Sequence, residues 1–149
     1  MYTKYLLVGI ALLIGGLLSI QGSINSHLGA FLKHPLQAAF VNFFVGTIAL
    51  FVLNIILKTE VPGMKELSKV PIYLFFGGLL GAIYVTSAVV LIPKIGVTSM
   101  LAASIAGQLI LSSIIDHFGL FNVPVHPISV GRIAGITLLA TGIFFIQRF

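Results

Sequence analysis

Four polar residues recur at four-residue steps within the apolar stretch Ser104–Leu120: Ser104, Gln108, Ser112 and Asp116. Each such step turns a helical side chain by about 40°, so the four form one slowly winding stripe. Leu, Ile and Ala make up the opposite face. Asp116 is the only carboxylate in any apolar segment of the chain. An acid at membrane depth is a candidate for gating or for coupling to a proton or ion. It also sits in the last turn of its helix, where the helix dipole disfavours negative charge. Arg132, across the short turn that follows, is the candidate partner. The two would then be either a gate or an ion pair tying neighbouring helices together. A second set of candidates is uncharged. Gln21 and Asn25 share one helix face, and Asn42 and Tyr84 lie inside later apolar runs. Such groups in hydrocarbon must be hydrogen-bonded, either to other helices as glue or to solute and water along a pathway.

Composition says what must position these residues. The 149-residue chain is 58% hydrophobic and 7% charged, with a mean hydropathy of +1.18. A soluble domain of this size could not hide so much apolar surface. An all-α, polytopic membrane protein follows. The chain has no cysteine, which excludes disulfides and thiolate metal sites. His27, His34, His117 and His126 have no spacing that converges on a metal, and no cofactor is indicated. Eight basic residues against three acids give a net charge of +5. They sit singly at the ends of apolar runs, as headgroup anchors do, with no cluster to track a nucleic-acid backbone. Nothing forms a nucleophile, base and acid set, so an enzyme is not expected.

The chain reads as one transmembrane domain, 1–149, after a short polar lead, Met1 to Lys4. Its five helices fall at about 5–32, 35–57, 71–91, 96–117 and 128–147. The first run exceeds the ~20 residues that cross a bilayer. It must tilt, overshoot or break, and Gln21-Gly22-Ser23 is where a break would come. Lys4 followed by an apolar run resembles a signal peptide, but no clear cleavage pattern follows. His34-Pro35 separates the first two helices. Lys58 to Val70 is the one substantial charged loop, with Pro62-Gly63 as a turn. Pro71 opens the third helix and Pro93 is expected to end it. Gly119 is the expected C-cap of the fourth.

Small residues at four-residue steps suggest helix-packing faces: Ala11, Gly15, Ser19 and Ser23, then Gly77 and Gly81, Gly107 beside the polar stripe, and Gly131 and Gly135. Five spans put the termini on opposite sides. Lys4, Lys58, Lys65, Lys69 and Arg132 then face Lys33, Lys94 and Arg148, five against three, or four against three if Arg132 is buried. That bias would place the N-terminus in the cytoplasm, but by a thin margin. Five spans cannot be halved and no internal repeat is visible. Two antiparallel copies would supply the inverted repeat on which many transporters are built.

Particular segments carry a family likeness. They are Gln21-Gly22-Ser23-Ile24-Asn25 with Leu28-Gly29, Phe43-Phe44-Val45-Gly46-Thr47, Gly77-Gly78-Leu79-Leu80-Gly81 and Ile92-Pro93-Lys94-Ile95-Gly96. The most specific is Gly107-Gln108-Leu109 through Asp116-His117-Phe118-Gly119-Leu120, and Gly131-Arg132-Ile133-Ala134-Gly135 closes the set. Over essentially its whole length the chain resembles the YdcZ-like members of the drug/metabolite transporter superfamily, a group classed as a domain of unknown function. The resemblance implies a half-size, multi-pass transporter of the bacterial cytoplasmic (inner) membrane that works as a dimer. Full-length members of the superfamily are ten-helix inverted repeats, and halves occur as single genes, paired genes or fusions. A lone half with a thin charge bias fits an antiparallel, dual-topology homodimer.

The expected function is alternating-access transport of a small solute across that dimer. The expected partners are a second copy, the solute and the lipid bilayer. Gln21, Asn25, Asn42, Tyr84, Ser104, Gln108 and Ser112 are the candidate pathway, with Asp116 and Arg132 as gate or ion pair. In the small multidrug transporters of the same superfamily, a glutamate on the first helix carries proton and cation. Helix one here has no carboxylate. An amide- and hydroxyl-lined path suits neutral or weakly anionic polar solutes better. The competing expectation is a non-transporting membrane subunit whose polar stripe docks a partner helix.

Overall fold

The computed structural model describes residues 2–149, with side chains from Tyr5 onward. Met1 lies outside the described residues, as do the side chains of Tyr2 to Lys4 and with them the Lys4 anchor expected from the sequence. Among the described residues, five helices are long and apolar enough to cross a membrane. In chain order the elements are α1 (Tyr2–Leu32), α2 (Pro35–Ile56), the single turn α3 (Met64–Leu67), α4 (Phe76–Ile95), α5 (Val97–Phe118) and α6 (Val130–Arg148). A 3-10 turn, Ile72–Phe75, leads into α4. The expected all-helical, five-span class is what the chain adopts. It divides into two compact units, Met1–Lys94 and Ile95–Phe149.

In the first unit α1 is unbroken through Gln21-Gly22-Ser23. Opening the helix there would leave backbone groups unpaired in hydrocarbon, at several kcal/mol each, whereas one helical glycine costs about 1 kcal/mol. The Ser23 hydroxyl even donates back to the Ser19 carbonyl, at 2.9 Å. At roughly 1.5 Å per residue, the 31 residues of α1 overshoot a ~30 Å hydrocarbon layer unless the helix tilts.

Helix α4 also runs past its expected end, through Pro93 to Ile95. The proline removes one hydrogen bond, to the Val89 carbonyl, and it does so in the final turn where little helix is left to break. Gly96, at φ +82°, stops it instead.

The core of this unit lies where α1 meets α2 and α4. Gly22, Asn25, Ser26 and Gly29 recur at helical spacing, and Asn25, Ser26 and Gly29 are buried. Ala88, Val89 and Ile92 on α4 are buried, as are Ala38 and Ala39 on α2. Glycine makes the approach possible. A Cβ on Gly29 would lie 2.3 Å from Val89 Cγ1, and one on Gly22 would lie 3.0 Å from Ile92 Cδ1.

Within the single chain, most of the glycines expected from spacing to pack face no neighbouring helix. A Cβ on Gly15, Gly77, Gly107 or Gly135 would meet nothing within 4 Å, and one on Gly131 would meet only Ser129 Oγ. Gly81 alone of that set faces another helix, with Phe43 Cζ at 3.4 Å. Equal spacing puts small residues on one face, but it does not say which face a neighbour covers.

The second unit pairs α5 with α6. Gly119, left-handed at φ +61°, caps α5 and sends its N–H to the Ile115 carbonyl. The chain turns through Leu120–Asn122, with Phe121 and Asn122 also at positive φ. It re-enters a helix at Ser129, whose hydroxyl accepts from the Arg132 N–H.

Candidate functional site

In the first unit three of the expected pathway residues meet. Gln21, Asn25 and Asn42 line one open-sided cavity of about 250 Å³. Gln21 is exposed at its mouth, whereas Asn25 is only 5% exposed. Phe43, Gly46, Thr47 and Leu50 form the α2 wall, and Val85 of α4 adds to it. Among the described residues, no charged side chain lines it. The Phe43 ring lies beside Gly81 of α4, where an added Cβ would come within 3.4 Å of its Cζ. Thr47 directs its hydroxyl proton to the Phe43 carbonyl, 2.8 Å away, leaving its lone pairs free.

Asn42 is the unusual member. Its Nδ2 is sealed from solvent and has no hydrogen-bond partner among the described residues. An unmet buried donor costs about 1–3 kcal/mol, so such groups are rare and call for an explanation. Tyr84 is half-buried and does not line this cavity; its neighbour Val85 does. Gly46 and Thr47 were not anticipated as lining. The available signal was Gly46 four residues after Asn42, which leaves a dent beside the amide.

In the second unit the polar stripe of α5 divides. Ser112 and Asp116 line a cavity of about 290 Å³ with Arg132 and Gly135 of α6. Ser104 instead lies 3.7 Å from the Met100 sulfur, and Gln108 is exposed and lines neither cavity. The 40° drift explains this. Three steps carry the stripe about 120° around the helix, too far for one neighbour to cover. Ser113, which the four-residue spacing skips, joins the lining. Both serines donate to the Leu109 carbonyl, Ser113 at 2.7 Å and Ser112 at 3.2 Å.

The expected Asp116–Arg132 contact is present, with Nη1 to Oδ2 at 3.3 Å. The same Nη1 donates to the His126 carbonyl at 3.0 Å. The His126 N–H donates to the Asp116 carbonyl at 2.9 Å, and the Ile128 N–H donates to His117 Nδ1 at 3.2 Å. Asp116 is at the C-terminal end of α5 and Arg132 in the first turn of α6. Each charge is at the unfavourable end of its own helix dipole, and pairing cancels both penalties. His126 and His117 therefore tie the corner through backbone contacts that side-chain types alone do not reveal.

Both side chains of the pair are about a third exposed, 37% for Arg132 and 35% for Asp116. The screened pair is worth at most about 1 kcal/mol, and the bond to the His126 carbonyl adds about as much. Arg132→Ala is expected to lower the melting temperature of the purified protein by about 2–5 °C. Arg132→Lys, which keeps the charge but not the forked contact, should recover part of the loss.

Comparison with known proteins bears on what such a chain does. Residues 6–145 match a family described as "Putative inner membrane exporter, YdcZ". The chain belongs to this family. It is also 32% identical, over 114 residues, to the inner membrane protein YdcZ of Escherichia coli (strain K12), an overlap of 76% of this chain and 75% of that protein. No solved structure matches it. Membership in the YdcZ family and five apolar spans make it a multi-pass inner-membrane protein, and the family description supports a transporter role.

Proposed function

We propose that the chain is a secondary transporter that moves a small polar solute by alternating access across an antiparallel, dual-topology homodimer. The observation that carries this is an uncharged polar cavity, with Asn25 and Asn42 inside it, built into the spans of an exporter-family chain. A protein needing only packing in lipid gains little from an unpaired amide there. A carrier needs groups that replace a solute's water and release it again. Two inverted copies would place one such cavity in each half, related by the two-fold axis typical of inverted-repeat carriers. The odd number of spans and the five-against-three charge bias support that arrangement.

Reconstitution tests the reading. Purified and placed in liposomes as the sole protein, the chain should be dimeric. It should also move at least one member of a panel of small, poorly permeant, uncharged metabolites faster than empty liposomes do. Obligate co-purification with a second membrane protein, without flux, would support the docking-subunit alternative instead.

A further inference from the structure

The cavity between α1 and α2 also specifies a class of ligand. We propose that it binds an uncharged solute with a hydrogen-bonding head on an apolar body, the head at the Asn25 and Asn42 amides and the body against Phe43, Leu50 and Val85. This rests on the transporter reading above and names what that site takes.

Charge complementarity argues first. Among the described residues the lining holds three amides and a hydroxyl, with no Lys, Arg, Asp or Glu. The two carboxylates of this unit, Glu60 and Glu66, lie in the exposed segment between α2 and α4. A cation or anion entering the cavity would lose its water without gaining a counter-charge, which is far costlier than desolvating a neutral head. Amides, by contrast, offer both donors and acceptors and match a neutral amide, alcohol or carbonyl.

The second argument is the unpaired donor. Asn42 Nδ2 has no partner among the described residues, yet the residue lines the cavity. A turn about χ2, a broad torsion in Asn, would exchange Nδ2 with Oδ1 and so let this lining residue offer either a donor or an acceptor. A ligand acceptor would then satisfy the donor. Size argues third. About 250 Å³ falls below the ~300–1,000 Å³ typical of drug-sized sites, so the solute is small. Gly46 keeps the space open, since a Cβ there would meet nothing within 4 Å.

Three probes of one shape test the class: phenylacetamide, phenylacetate and phenethylamine, which are neutral, anionic and cationic near neutral pH. Saturating phenylacetamide should raise the melting temperature of the purified dimer by at least about 2 °C, with the two ions giving less than half that shift. Asn42→Leu should raise the melting temperature of the unliganded protein by about 2 °C or more, because it removes an unmet donor. It should also weaken phenylacetamide binding about tenfold. Gly46→Leu, whose Cβ would meet nothing within 4 Å and whose side chain would take up cavity space, should leave the fold intact and abolish the shift.

Equal or greater stabilisation by either ion, no stabilisation by any probe, or an Asn42→Leu protein that melts lower and binds as before would each overturn the proposal. The two readings fail differently. Liposome flux unaffected by Asn42→Leu and Gly46→Leu would remove this site and leave a carrier. Asn42-dependent binding without flux of any solute would leave the site and remove the carrier.

Discussion

Gly29→Val is expected to be the most damaging single substitution in the first unit, lowering the melting temperature by about 6–12 °C or preventing assembly in the membrane. Even a bare Cβ would stand 2.3 Å from Val89 Cγ1, with Ala38 Cβ at 3.7 Å on another side. Val89 is buried and β-branched, so on a helix it has essentially one rotamer and cannot swing away. Relief must come from parting α1 from α4. That exposes Ala88, Val89 and Ile92 and shifts Asn25 and Ser26, one turn back on α1. Overpacking of this kind costs about 1–3 kcal/mol, and the two further methyls of Val put it at the top of that range. The cavity should fail with the packing, so the probe response should vanish too. Gly15→Val on the same helix is the control. Its Cβ meets nothing within 4 Å, and the effect should stay within about 0.5 kcal/mol. Thermal melts of the two purified variants make the comparison.

Gly119→Val should be the corresponding lesion in the second unit, at about 3 kcal/mol, or roughly 6–12 °C in melting temperature. Two costs add. Left-handed φ, +61° here, costs an ordinary L-residue about 1–2 kcal/mol and a β-branched one more. A Cβ would also stand 2.7 Å from Val125 Cγ2 and 3.4 Å from the Val123 carbonyl oxygen. The corner that brings Arg132 to Asp116 and His126 turns on this residue. Gly119→Asn should be milder, because Asn tolerates the left-handed region. Adding Val125→Ala to Gly119→Val should return the steric part of the loss but not the backbone part. That coupling is readable in a double-mutant cycle.

The spans and their connections were legible because length and hydropathy decide them. A run of about 20 apolar residues has few alternatives in lipid. Pro35 and Gly119 act as expected, at the first turn of α2 and as the cap of α5. Gln21, Asn25 and Asn42 could be named as a set because polar groups stand out against hydrocarbon, and Asp116 could be matched to Arg132 because each needed a counter-charge. What was not legible concerns faces and neighbours. Spacing singled out Gly77 and Gly135, whereas the closest approach is at Gly29. Only the meeting of α1 with α4 makes Gly29 matter. Gln21-Gly22-Ser23 looked breakable because local composition says nothing about the cost of open backbone in lipid. Ser104 and Gln108 share a stripe with Asp116 in the sequence, but the helical drift over successive steps turns them away from the cavity that Asp116 lines. The backbone bonds at His126 and Ile128 depend on the path of the turn, which residue types do not encode.

The central claim is that one five-helix chain, inserted in both orientations, makes a whole carrier. The chain has no cysteine, so Met64→Cys, at an 81% exposed position in the loop between α2 and α4, provides a unique label. Cells expressing this variant would be treated with a membrane-impermeant maleimide before and after selective opening of the inner membrane. Roughly equal labelled fractions from the two sides are predicted. Labelling from one side alone would contradict the account.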